Sequence, residues 1–251
     1  MRDPNGGVGL PAAVVVEMVQ GEGGVVAADD EFVRRLRLLT RELGVPLVVD
    51  EVQTGCGRTG TWFAFEQYGI EPDVIVASKA LSGIGQPVAI ILYDERLDVW
   101  APGAHTGTFR GNQLAVAAGA EAVRVVERDD VLGNVRRRGL QIDRRLGALG
   151  ENRWVREVRG RGLMWGIELM DAAGSAPGEL AGKVQARALR AGLIVELGGR
   201  NDTVVRMLPP LNVTADVVDM ACTILIDAIE HCAPKTGRLL SLVPAPVRAR
   251  T

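Results

Sequence analysis

Val45-Pro46-Leu47-Val48-Val49-Asp50-Glu51-Val52-Gln53-Thr54-Gly55 contains an apolar run that ends abruptly on a carboxylate. Gly44 and Pro46 stop whatever helix precedes it. The run Leu47-Val48-Val49 is short, rich in β-branched residues and without alternation, which reads as a strand buried on both faces. Similar runs lie on either side. Ala12-Ala13-Val14-Val15-Val16 predicts an earlier strand, Val74-Ile75-Val76 a third and Val88-Ala89-Ile90-Ile91-Leu92 a fourth. Between the first two, Asp29 and Asp30 open a helix whose apolar spacing is Phe32, Leu36, Leu39, Leu43. Apolar strands separated by helices or long crossovers indicate an α/β fold, with a mostly parallel sheet covered on both faces. Sites in such sheets gather at the carboxyl ends of the strands. Glu17, Asp50 and Lys79 all stand at such ends.

Farther along, the pattern changes. An Ala-rich helix is predicted over 112–128 and another over 131–149, followed by strands at 155–158 and 163–169. A helix over 180–191, a strand at 203–208 and a last helix over 215–232, N-capped by Thr214, complete the series. This is the succession of a small α+β domain. The chain therefore divides into 1–130, part of a large sheet domain, 131–233, a smaller domain, and 234–251, a loose tail.

Composition narrows the function. A formal net charge of −2 and scattered Lys and Arg make no basic face for nucleic acid or an anionic membrane. Two histidines, His105 and His231, are too few for a His-built metal site. Cys56, Cys222 and Cys232 have no C-x-x-C spacing and read as reduced thiols. Met1-Arg2-Asp3-Pro4-Asn5 lacks the apolar core of a signal peptide, and no run reaches the ~20 apolar residues of a membrane span. A cytoplasmic protein is expected.

By position alone, Asp50 and Lys79 would be solvated loop residues, as charges usually are. Their company changes that reading. Val-Val-Asp-Glu-Val-Gln-Thr-Gly (48–55), Ser-Lys (78–79), Glu-Met-Val-Gln-Gly-Glu-Gly-Gly (17–24) and Thr-Gly-Thr-Phe-Arg-Gly-Asn (106–112) occur in one chain. The set resembles the class III (ornithine/ω-amino acid) aminotransferases of pyridoxal-phosphate (PLP) fold type I, over residues 12 to 230. The resemblance implies that Lys79 holds the cofactor as a Schiff base and later carries the substrate proton. Asp50 would pair with the pyridinium, Val52 pack on the ring and Gln53 hydrogen-bond near its phenolic oxygen. Thr108 would reach the cofactor phosphate of a neighbouring subunit, which makes a homodimer part of the site. Arg206 would bind the α-carboxylate of glutamate or 2-oxoglutarate, its planar fork suiting that group. Glu22 would neutralise it when an ω-amine donor offers no carboxylate there, and Glu17 would help orient the network.

Leu97 to Ala115, together with Val-Glu-Leu-Gly-Gly-Arg (195–200), is similar to the diaminobutyrate–2-oxoglutarate aminotransferases. That implies transfer of an amino group from L-2,4-diaminobutyrate to 2-oxoglutarate, giving aspartate 4-semialdehyde and glutamate. Ornithine or 4-aminobutyrate as donor is the close alternative. Gly55-Cys56-Gly57-Arg58-Thr59-Gly60 satisfies the dinucleotide pattern G-x-G-x-x-G, but Thr61-Trp62-Phe63 opens no helix and no acidic residue ends a strand about 20 positions on. It is not a nucleotide site. The resemblance also implies that the phosphate-cradling turn and the ring-stacking aromatic lie in a sequence preceding this one. The sheet should then show uncovered apolar surface, and a fragment inactive without an N-terminal partner is the rival reading.

Overall fold

The computed structural model describes residues 7, 9–83, 85–175 and 177–235. The first part comprises β1 (Val14–Val16), the short hairpin β2 (Val19–Gln20) and β3 (Val26–Ala27), and helix α1 (Asp30–Glu42). β4 (Leu47–Asp50), β5 (Val74–Ala77), β6 (Ile90–Tyr93) and helix α2 (Gln113–Arg128) follow. The first sheet has the order β1-β4-β5-β6. β1, β4 and β5 are parallel, with Asp50 opposite Val76, whereas β6 returns antiparallel to β5. The sheet is α/β but mixed, and the fourth apolar run is shorter than expected and reversed in direction.

α1 begins where its caps dictate. The Asp29 carboxylate accepts the Phe32 N–H at 3.0 Å, and Asp30 and Glu31 face the positive end of the helix dipole. Its buried stripe is Val33, Arg37 and Thr40, with Leu36 half-buried beside them, the i, i+4, i+7 spacing of a helix face. This corrects the expected stripe: Phe32 falls one position off it and is 52% exposed. On β4 the alternation of a strand sends Leu47 and Val49 into the core under α1 with Met18 and Tyr68. Val48 and Asp50 take the opposite face. Apolar surface does remain open on both outer strands, at Val15 of β1 and at Ile91 and Leu92 of β6.

The rest of the chain forms a second sheet with its own core. α3 (Val131–Leu146), β7 (Val155–Arg161), β8 (Met164–Leu169), α4 (Glu179–Arg190), β9 (Glu196–Gly198), β10 (Val204–Met207) and α5 (Ala215–Cys232) follow in order. The sheet runs β7-β8-β10-β9 and is antiparallel throughout. α5 starts at Thr214, whose hydroxyl accepts the Val217 N–H. Ile142, Ile167, Val184, Val205 and Leu225 meet in the core between this sheet and helices α3, α4 and α5. β2, β3 and β9 have no counterpart in the sequence reading. Of the expected tail, 236–251 lies outside the described residues. No described helix is long and apolar enough to cross a membrane.

The glycine-rich stretch 55–60 is a junction between the two sheets. Gly57 and Gly60 take φ of +96°, and the Arg58 guanidinium donates to Leu163 O at 3.0 Å and Pro209 O at 2.5 Å. Burial lowers the Arg58 pKa to about 10, so its charge persists at neutral pH. No phosphate needs to be invoked for these glycines.

Candidate active site

A cavity of about 1250 Å³ lies between the sheets. Val52 and Gln53, just past β4, and Lys79, just past β5, reach it from the first sheet; Glu196 of β9 and Arg206 of β10 reach it from the second. Glu22, from the β2–β3 turn, completes the charged wall. Parallel pairing of β4 with β5 brings their carboxyl ends side by side, which places Asp50 and Lys79 at neighbouring strand ends.

Lys79 holds φ +47°, in the left-handed region that a non-glycine residue rarely enters. The preceding Ser78 ties the local backbone by donating its hydroxyl to Val88 O at 2.8 Å. Strain of this kind, of order 1–3 kcal/mol, persists where the surroundings over-determine a conformation. Here it sets where an exposed amine enters the cavity.

The opposite wall is an ion cluster. Arg206, only 3% exposed, donates from Nη1 and Nη2 to the two Glu22 oxygens at 3.1 and 3.0 Å. Its Nη2 also lies 3.1 Å from a carboxylate oxygen of Glu196. Gln53 Nε2 donates to Glu22 Oε1 at 2.8 Å, so Glu22 is held from both sheets. The Gln53 hydrogen bond, followed by that of Arg206, lowers the Glu22 pKa below the usual carboxylate value and keeps it ionised. The turn carrying Glu22 is fastened in several ways. Gly199 N–H donates to Glu22 O at 2.8 Å and Arg159 Nε to Gly24 O at 2.9 Å. Val25, at φ +58°, is driven into a small core with Val19 and Met164.

The remaining expected residues sit apart from the cavity wall. Glu17 accepts the Gly21 N–H at 2.9 Å and braces the turn before Glu22. Asp50 accepts the Val52 N–H at 3.0 Å, but neither it nor Glu17 is among the residues lining the cavity. Thr108 is exposed in a surface turn and does not reach the cavity within one chain.

Two residues were missed. Glu196 lies on a three-residue strand that no periodicity announces. Glu51, fully buried behind Asp50, accepts the Phe65 N–H at 3.0 Å and the Thr54 hydroxyl. Burial raises the Glu51 pKa above the ordinary 4.5, against those hydrogen bonds. The folded chain thus holds this proton more tightly than the unfolded one. Its contribution to stability is complete below pH 4.5 and declines as pH rises through the folded value. Glu51→Gln should therefore flatten the decline in denaturation midpoint between pH 4.5 and neutrality. Parallel pH curves for the two proteins would contradict this.

The donor set can be tested against PLP. The amine of Lys79, the apolar side chain of Val52 and the nearby carboxylate of Asp50 are the groups that a pyridine aldehyde ring requires. The phosphate end is less well served among the described residues lining the cavity: Arg58 is engaged with carbonyls and Arg206 with carboxylates. Lys79 and Val52 on the cavity wall fit the ring, and Asp50 stands at the neighbouring strand end without lining the cavity.

Residues 11–229 match the family described as aminotransferase class-III. A diaminobutyrate–2-oxoglutarate aminotransferase of Rhizobium meliloti (strain 1021) is 46% identical over 246 residues, covering 94% of this chain and 52% of that protein. A diaminobutyrate–2-oxoglutarate transaminase of Streptomyces coelicolor is 40% identical, covering 93% and 55%. The chain spans about half the length of the curated relatives it matches. Among solved structures, an ornithine aminotransferase from Plasmodium yoelii superposes with a TM-score of 0.80 at 31% identity, covering 88% of this chain and 58% of that one. A transaminase from the marine bacterium Virgibacillus, at 24% identity and a TM-score of 0.82, shares the fold.

Proposed function

The chain belongs to the class III aminotransferases, and from that premise we propose that its cavity serves transamination of an ω-amino group with PLP. The proposed reaction converts L-2,4-diaminobutyrate and 2-oxoglutarate into aspartate 4-semialdehyde and glutamate. The observation that carries this reading is the Arg206 fork, buried yet closed by Glu22, on the wall of the cavity that Lys79 enters. An unpaired buried guanidinium is costly. A carboxylate on a turn neutralises it when the donor presents an amine and can give way to the α-carboxylate of a dicarboxylic acceptor.

PLP, when bound, supplies an aldehyde and an electron-withdrawing ring that stabilises negative charge on the substrate carbon. Lys79 would hold it covalently and, once free, take and return the substrate proton on Nζ. Asp50 would keep the ring nitrogen protonated, Val52 would exclude water from the ring face and Gln53 would orient both the ring oxygen and Glu22. Glu17 would brace the Glu22 turn. Thr108 would act toward the phosphate held by a second copy in a homodimer, consistent with its exposure. The division into 1–130 and 131–233 is proposed on the two sheets and their separate cores.

The test uses the scarcity of lysine, which occurs only as Lys79, Lys183 and Lys235. Incubation with PLP followed by borohydride should yield one adduct, on the peptide containing Lys79, and none there in Lys79→Ala. An adduct distributed equally over the three lysines would sink the assignment. A second reading is supported by the apolar surface on β1 and β6 and by the sparse phosphate contacts: turnover requires a polypeptide that covers those strands and completes the site. Negligible transamination by this chain alone is the outcome that reading expects.

A further inference from the structure

Arg206 carries one positive charge but meets two carboxylates, and these are mounted differently. Glu22 is on the turn between β2 and β3. Glu196 is on β9, directly opposite Arg206 in the antiparallel ladder. Both carboxylates are well exposed, at 74% and 63%, over a guanidinium that is almost wholly buried. The fork has little freedom behind it, because a Cβ on Gly198 would stand 2.7 Å from Arg206 Nε. The turn itself is fastened, so it is the exposed Glu22 side chain that swings away, whereas ladder register keeps Glu196 opposite Arg206.

We propose that Glu196 is the fixed counter-charge of Arg206 and a specificity-determining residue of the site. This rests on reading Arg206 as the arginine that binds a substrate carboxylate. With Glu22 in place the cluster bears one more negative than positive charge, which favours a donor that presents an ammonium group. When Glu22 leaves, Glu196 stays 3.1 Å from Nη2 and keeps the guanidinium from being wholly exposed to the first dicarboxylate that arrives. Affinity for acceptors is thereby held down and affinity for cationic donors held up. A single charge across a partly exposed wall is worth about tenfold in each case.

The experiment needs no cofactor and no turnover. Binding of glutarate, an unreactive dicarboxylate, and of 1,4-diaminobutane is measured by titration calorimetry on the full chain at low ionic strength. Glu196→Gln, which keeps the shape and removes the charge, should tighten glutarate about tenfold and weaken the diamine by a similar factor. Glu196→Asp, which keeps the charge, should stay within about threefold of wild type for both. Opposite signs for the two probes cannot come from a damaged site, which would weaken both. Changes of the same sign, or none, overturn the proposal. Glutarate binding that survives Arg206→Met overturns the underlying reading of Arg206 itself, a failure distinct from any result at Lys79.

Discussion

Replacing Asp73 by asparagine is expected to lower the unfolding free energy by about 3–5 kcal/mol, the usual cost of removing one member of a buried ion pair. The geometry leaves little room for compensation. Asp73 is 4% exposed and accepts from Arg37 at 2.6 and 3.2 Å, from the Leu47 N–H at 2.8 Å, and from Arg96. Its own backbone bonds β4 through Leu47 O and the turn after β6 through the Asp94 N–H. One carboxylate thus fastens α1, β4 and the segment after β6 together. Without its charge, Arg37 keeps a guanidinium that burial already disfavours, as its lowered pKa reflects. Urea denaturation followed by circular dichroism should register the loss, and the melting temperature should fall by about 6–20 °C. Glu31→Ala, which breaks an exposed pair with Arg35, should cost less than about 1 kcal/mol. Equal effects of the two substitutions would show that Asp73 is not the fastening point.

Gly162→Ala should be nearly as damaging, for a steric reason. Gly162 turns the β7–β8 hairpin at φ +56°, and a Cβ there would stand 2.6 Å from both Arg58 O and Thr59 C. Those are backbone atoms of the junction loop, so no rotamer change relieves the clash. The same contact includes the Leu163 N–H bond to Arg58 O at 3.0 Å and the Trp165 indole bond to Gly162 O at 2.8 Å. A destabilisation of about 3 kcal/mol or more is expected, combining left-handed strain of roughly 1 kcal/mol with displacement of the loop. Gly174 provides the control: its φ is +89°, but nothing lies within 4 Å of a Cβ. Gly174→Ala should cost only the conformational part, about 1 kcal/mol. If both variants unfold at the same denaturant concentration, the close approach of the hairpin to the junction is wrong.

What could be read from residues alone follows from how far apart the interacting groups are. β1, β4 and β5 were legible because an apolar, β-branched run bounded by glycine or proline has few other outcomes. α5 was legible because Thr214 and an apolar period announce it. The direction of β6 was not, since an apolar run carries no sign of its neighbour's orientation. β9 escaped because three residues ending in glycine show no alternation, and β2 and β3 because each is a two-residue strand at a turn. At the site, Lys79, Glu22 and Arg206 were singled out through motif resemblance, and Arg206 lies 3.1 and 3.0 Å from the two Glu22 oxygens. The contact of Glu196 with Arg206 depends on ladder register, and that of Arg37 with Asp73 joins residues 36 apart. Neither leaves a local trace.

The turn bearing Glu22 belongs to the first part of the chain by sequence but to the second sheet by attachment, through Gly199, Arg159 and the Val25 contact with Met164. A chimera that transplants residues 17–27 into a related scaffold would carry the carboxylate without its moorings. On the role proposed for Glu22, donor preference would follow only if the strands from 155 to 207 travelled with it, which would make the unit of selectivity a discontinuous cassette.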